Sequence, residues 1–339
     1  MSAGDAAMLI LAPLPAESLS RLRETAPDLH IVHHSTPAPD VTDDLWRRTE
    51  VLYTENILPR VEQAPMLRWI QLYSAGVDRI LDHPLFTTSV IITTASGVHP
   101  VPIAESVFGS ILTWSRRLTS IRADQHRQYW PSTHEKEAAL MPIELWGTTI
   151  GIVGYGSIGR QVARVAAGFG MRILAMQRGV DHRERGFHFP DTGDAEGGLP
   201  DHYYELAALD DLLHESDVVV ITLPLTPETR GLFDQRAFHS MKRSAFLVNV
   251  ARGSICDEAA LVRALREGWI AGAALDVFEE EPLKPGHPLW TMPNVLVSPH
   301  ISGLSPQYAE RASLIFEENV RRYRTGDPLH NQVNKEHRY

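Results

Sequence analysis

Arg252, Glu281 and His300 stand in three short segments whose side chains could act together. These are Val248-Asn249-Val250-Ala251-Arg252-Gly253, Leu275-Asp276-Val277-Phe278-Glu279-Glu280-Glu281-Pro282 and Val297-Ser298-Pro299-His300-Ile301-Ser302-Gly303. A guanidinium grips a carboxylate through parallel N–H groups and stabilises negative charge on oxygen, while an imidazole exchanges protons near neutral pH. The set suits acid–base chemistry on a carbonyl beside a carboxylate. Taken singly, each residue has a plainer explanation. Arg252 could pair with any surface acid, Glu281 could belong to a solvated run, and His300 could be a satisfied buried histidine. Together they gain meaning, because all three follow predicted strands in the same half of the chain, and open α/β sheets collect ligands at the carboxyl ends of strands. None of the other histidines among the 16 has a comparable setting.

That half also carries Gly154-Tyr155-Gly156-Ser157-Ile158-Gly159, between a predicted strand at 149–153 and a helix with the apolar face Ile158, Val162, Val165, Ala166 and Phe169. A GxGxxG run alone implies only a tight turn. In strand-to-helix context it predicts a dinucleotide site, with Gly154 for the turn, Gly156 for close approach of a pyrophosphate and Gly159 for helix–strand packing. The helix N-terminus adds attraction for an anion. An acid that would bond the adenosine ribose of NAD is expected at 177, where Gln177 stands instead, followed by Arg178, with Arg183 and Arg185 close by. These arginines either receive a 2′-phosphate or solvate a surface loop, and the missing carboxylate tips the expectation toward NADP(H) over NAD(H).

Parallel strands must position these groups. Apolar runs at 149–153, 172–176, 217–223, 245–250, 271–277 and 295–298 alternate with helical patterns, which predicts βαβ units and a covered parallel sheet. A second α/β layer is expected from the runs at 8–12, 29–33, 51–53, 67–72 and 90–93 with a helix at 16–25. Long amphipathic helices are predicted at 101–118 and 306–323, with a boundary near Arg117. The chain of 339 residues suffices for about two domains. Its 32 basic against 42 acidic residues, without a block of five like charges, argue against a nucleic-acid partner. No window holds the roughly 18 uninterrupted apolar residues of a membrane span. The lone Cys256 and the absence of a signal-peptide pattern point to the cytoplasm. No metal-ligand cluster stands out.

The chain resembles the D-isomer-specific 2-hydroxyacid dehydrogenase family over residues 73–323. The resemblance rests on Ser74-Ala75-Gly76-Val77-Asp78, the glycine segment from Gly151, Leu223-Pro224-Leu225-Thr226-Pro227-Glu228-Thr229, and the three segments named first. It implies a hydride transfer between a nicotinamide cofactor and a 2-oxo acid/D-2-hydroxy acid pair. Arg252 would bind the substrate carboxylate, His300 would be the general acid/base, and Glu281, immediately before Pro282, would be its carboxylate partner. Asp276 would hold the nicotinamide carboxamide, Leu223 and Pro224 would flank the adenosine, and Val250, Ala251, Arg252, His300 and Gly303 would line the cofactor site. Ser74, Ala75, Gly76 and Val77 would offer N–H groups to the substrate. The implied fold is a Rossmann-type doubly wound sheet (118–300) inserted into a smaller flavodoxin-like α/β substrate domain (1–117 and 301–339), assembled as a homodimer. Helix 101–118, with Phe108, Ile111 and Trp114, offers apolar surface for that assembly. Two departures stand out: the absent acid at 177 and a long glycine-containing connection at 178–204. A nucleotide-sensing scaffold on the same fold, like the carboxy-terminal-binding corepressors, is the rival reading.

Overall fold

The computed structural model describes residues 6–34, 41–179, 181–184 and 186–335; Arg185, one of the arginines noted above, lies outside them. The first unit opens with β1 (Ala7–Leu11), α1 (Ala16–Thr25), β2 (His30–His33), α2 (Asp43–Arg48), β3 (Thr49–Thr54), β4 (Trp69–Leu72) and β5 (Ile91–Thr93). The second unit follows with α3 (Pro100–Ser115), α4 (Leu118–His126), α5 (Thr133–Ala139), β6 (Thr149–Val153), α6 (Ser157–Gly168), β7 (Arg172–Met176), β8 (His202–Tyr204) and α7 (Leu209–Glu215). It continues through β9 (Val218–Ile221), α8 (Gln235–Ser240), β10 (Phe246–Asn249), α9 (Glu258–Glu267), β11 (Gly272–Leu275) and β12 (Val295–Val297). Helix α10 (Tyr308–Thr325) then returns to the first unit.

In the first unit the strands pair in parallel in the order β2-β1-β3-β4-β5, the flavodoxin arrangement. Strand β1 is buried throughout, so its residues read as one apolar run rather than an alternation. Leu22 of α1 and Phe316 and Val320 of α10 pack with Met8, Ile10, Val51, Tyr53 and Trp69 on one face of this sheet. The Ser18 and Ser313 hydroxyls meet at 2.9 Å, and Arg21 grips Glu317 through two hydrogen bonds of 2.6 and 2.9 Å. These contacts explain why a helix so distant in sequence belongs to this layer.

The second unit holds a parallel sheet in the order β12-β11-β10-β9-β6-β7-β8. Its topology reverses between β6 and β9, as in the Rossmann arrangement, so loops at the carboxyl ends of these two strands diverge and leave a crevice. Helix α3 packs on α6 and closes one face: Ile103, Val107, Phe108 and Ile111 join Ile150, Ile152, Val162 and Ala166 in one cluster. Phe108 stacks on Phe169 and Trp114 on Phe246. Of the residues expected to offer assembly surface, Phe108 and Ile111 are buried within the unit and Trp114 is partly buried. Among the described residues the first unit comprises 6–99, 186–187 and 305–335 and the second 100–184 and 188–304, whereas the sequence suggested divisions at 117/118 and 300/301. Among the described residues no helix is long and apolar enough to cross a membrane.

Candidate active site

The glycine turn joins β6 to α6. Gly154 has φ +113°, and a Cβ there would meet the Leu223 amide nitrogen at 2.8 Å; a Cβ on Gly159 would strike the Gly154 carbonyl oxygen. Both positions therefore require glycine on steric grounds. Gly156 has nothing within 4 Å of where its Cβ would be, which leaves room at the start of α6 for a group that approaches the backbone. The segments carrying Gln177, Leu223, Val250, Arg252, Asp276 and His300 leave the carboxyl ends of β7, β9, β10, β11 and β12 on the same edge of this sheet. The open cradle at a helix N-terminus and the topological switch beside it fit a dinucleotide.

His300 and Glu281 meet on that edge. Nδ1 of His300 lies 2.8 Å from Oε2 of Glu281, whose Oε1 accepts from the Phe278 N–H at 3.0 Å. With a carboxylate as acceptor, Nδ1 is the donor, and Nε2 is the ring nitrogen left for other chemistry. The His300 side chain is 49% exposed, enough for another molecule to reach it. The neighbouring Glu280 pairs elsewhere, with Lys284 at 2.6 Å. His300 adopts φ +54°, a left-handed conformation costly for a histidine. Buried Asp276 enforces it. Its Oδ1 accepts from Ser298 Oγ at 2.5 Å and the Ile301 N–H at 3.0 Å, and its Oδ2 from the Ser302 N–H at 2.9 Å, on both sides of the histidine.

Arg252 is carried by the turn after β10. Buried Asn249 shapes that turn, accepting from the Ala251 N–H at 3.1 Å and donating to the Arg252 carbonyl at 3.2 Å. Gly253 lies so close to the Phe278–Glu279 backbone that a Cβ would collide with it. The arginine turn and the turn bearing Glu281 are thereby fixed against each other. Cys256 is buried behind this turn, and burial pushes its thiol up to about 12, which removes it as a nucleophile.

The sequence model of the "D-isomer specific 2-hydroxyacid dehydrogenase, NAD binding domain" matches residues 108–302. The chain belongs to this family. It is 38% identical over 299 residues to a glyoxylate reductase of Aeropyrum pernix, covering 86% of this chain and 84% of the relative. A glyoxylate reductase of Thermofilum pendens is 37% identical over 335 residues, covering 95% and 93%. Among solved structures, a family protein from Aeromonas salmonicida superposes with a TM-score of 0.78 at 32% identity, covering 98% of this chain and 99% of that one. An NADPH-dependent glyoxylate/hydroxypyruvate reductase from Sinorhizobium meliloti, in complex with NADP and sulfate, gives 0.77 at 26% identity, covering 98% and 100%.

Around Gln177 and Arg178 the structure shows contacts that the sequence left open. Gln177 donates from Nε2 to the Asp181 carbonyl at 3.0 Å, and Arg178 lies 3.3 Å from Glu228. Arg183 pairs with Glu196 at 3.2 Å. The connection after Arg178 is clamped by Arg160, only 2% exposed, which donates to the carbonyls of Asp194 at 2.6 Å and His182 at 2.7 Å and approaches Gln177 Oε1 at 3.5 Å. The Tyr155 hydroxyl donates to Asp194 at 2.6 Å, and burial with this carboxylate raises the tyrosine's pKa. His182 stacks on Tyr203 with ring centroids 3.6 Å apart. Arg160 was missed by motif reading. Its signal was its place directly after Gly159, in the first turn of α6.

In the first unit, the Ser74–Val77 segment forms a tight loop after β4. Ser74 Oγ donates to the Gly76 carbonyl at 2.8 Å, and the Ser74 carbonyl accepts from the Ala95 N–H at 2.9 Å. The Ala75 and Gly76 N–H groups have no intrachain partner among the described residues. Consecutive unpartnered N–H groups in a turn attract anions.

Proposed function

We propose that the chain reduces a 2-oxo acid to the D-2-hydroxy acid, with NADPH favoured over NADH. The observation that carries this reading is the 2.8 Å pairing of His300 with Glu281 on the sheet edge shared with the glycine turn. When bound, the reduced nicotinamide would supply a hydride to the carbonyl carbon. Residues 154–159 would hold its pyrophosphate, Leu223 and Pro224 would flank the adenosine, and Gln177 with Arg178 would meet the ribose. Val250, Ala251, Asp276 and Gly303 would line the remainder. Asp276 already accepts three donors, so its first duty is to hold the His300 loop in place.

Protonated His300 gives the Nε2 proton to the oxygen as negative charge develops there, while Glu281 keeps the ring oriented and stabilises the imidazolium that forms in the reverse direction. Arg252 aligns the substrate carboxylate and stabilises charge on the neighbouring oxygen. The relatives' name favours glyoxylate as the acid and that of the Sinorhizobium meliloti structure adds hydroxypyruvate, and the chemistry needs no membrane or nucleic acid, in keeping with a cytoplasmic enzyme. We further assign the homodimer contact to residues 118–146, where Trp130 is 85% and Trp146 80% exposed, joined by Leu118, Ile121, Tyr129 and Met141. The test is loss of nicotinamide absorbance with a panel of 2-oxo acids and each cofactor. Turnover with product of D configuration is expected. Tight cofactor binding without turnover of any member would overturn the enzyme in favour of a nucleotide-sensing scaffold.

A further inference from the structure

Glu228 follows β9 in the turn that begins at Leu223. Its Oε2 accepts from Thr226 Oγ1 at 2.9 Å and from Arg178 Nη2 at 3.3 Å. The turn is well tied: Thr226 is buried, its N–H donates to Thr229 Oγ1 at 2.8 Å, and that hydroxyl donates to the Pro224 carbonyl at 2.7 Å. A carboxylate held by the Thr226 hydroxyl on a well-tied turn thus faces the guanidinium that the cofactor reading assigns to a 2′-phosphate. We propose that Glu228 is a specificity-determining residue that opposes the 2′-phosphate and moderates the preference for NADP(H). The proposal rests on the cofactor reading above.

Two effects compete. The ion pair aims Arg178 toward the turn at 223–229, which helps phosphate binding, and it also sets a negative charge where a phosphate of about −2 must come. The side chains are 54% and 64% exposed, so the pair orients Arg178 only weakly. A bound phosphate orients a guanidinium by itself through charge-assisted hydrogen bonds, whereas it cannot cancel the charge of Glu228. Repulsion therefore wins. A free ribose hydroxyl, which carries no charge, meets no such repulsion from the carboxylate.

The experiment is calorimetric titration of 2′,5′-ADP, 5′-AMP, NADP+ and NAD+ into wild type, Glu228→Gln and Glu228→Lys. The expected result is a roughly three- to tenfold lower Kd of Glu228→Gln for the two 2′-phosphorylated ligands relative to their unphosphorylated counterparts, and a larger gain in Glu228→Lys. The gain should shrink in salt of about 0.5 M, where exposed charges are screened. Unchanged or weaker 2′,5′-ADP binding in both variants, with wild type binding dinucleotides normally, overturns the proposal alone. A wild type that binds neither NADP+ nor NAD+ overturns the cofactor reading and the proposal with it.

Discussion

A histidine held at φ +54° must be fixed by its neighbours, and here three hydrogen bonds to Asp276 do so. Asp276→Asn replaces an acceptor oxygen with a donor amide facing an N–H or hydroxyl, leaving a buried donor unsatisfied at a cost of about 1–3 kcal/mol. A lower unfolding temperature and kcat reduced about tenfold or more are expected, checked by calorimetry and steady-state rates. Glu281→Gln would present an amide N–H to Nδ1 and force the other ring tautomer, and kcat should fall at least about 100-fold with cofactor Kd unchanged. An unchanged kcat would show that Glu281 does not orient the ring. The proximity of Glu281 rather than Glu279 or Glu280 to His300 was legible from its place before Pro282 through family resemblance. The loop-holding work of Asp276 was not, because two of its three donors are backbone N–H groups that no side-chain pattern reveals. The partner of Arg178 was equally hidden, since Glu228 lies 50 residues away in sequence.

At the scale of elements, the site depends on two turns pressed together at Gly253. Gly253→Ala puts a methyl group into the Phe278–Glu279 backbone, so the Arg252 turn must separate from the Glu281 turn. A displacement near 1 Å is enough to cost on the order of 100-fold in kcat/KM. Steady-state kinetics beside far-ultraviolet circular dichroism would check that activity falls while the secondary structure remains. Strands β6 and β7 were readable to their ends because buried parallel strands are continuous apolar runs. Helices α4 and α5 have no counterpart among the elements expected from the sequence, and the reason is physical: neither buries a residue, so neither carries an apolar stripe. Strand β8 is three residues long at the sheet edge, with His202 exposed, too short to show a period. The apolar pattern of α3 was legible, but not which partner it serves; the structure spends it on α6.

At the scale of the molecule, assembly and acid stability follow from surfaces. Light scattering should give about twice the 37.9 kDa of one chain, and Trp130→Ser with Trp146→Ser should shift it toward one chain. A wild-type mass of one chain would sink the dimer. In α10, hydrogen bonds from Arg321 at 2.7 Å and Arg322 at 2.8 Å hold the Glu318 carboxyl down at about 2, from an ordinary 4.5. A depressed carboxyl pKa stabilises the fold above 4.5 and loses that contribution as pH falls toward 2. Glu318→Gln should therefore flatten the acid-unfolding profile in that window and leave a smaller difference from wild type at the acid end. Equal slopes would show that the ion pairs do not contribute. The two-layer organisation was legible from the alternation of runs and helices, whereas the division at 99/100 depends on packing that only coordinates reveal.

The central claim is that His300 transfers the proton. Its most direct test is single-turnover reduction of glyoxylate and hydroxypyruvate at saturating NADPH, comparing wild type with His300→Asn, since asparagine tolerates the left-handed backbone that His300 adopts. The account predicts a rate at least about 100-fold lower with an unchanged NADPH Kd; a variant that reduces these acids at the wild-type rate would contradict it.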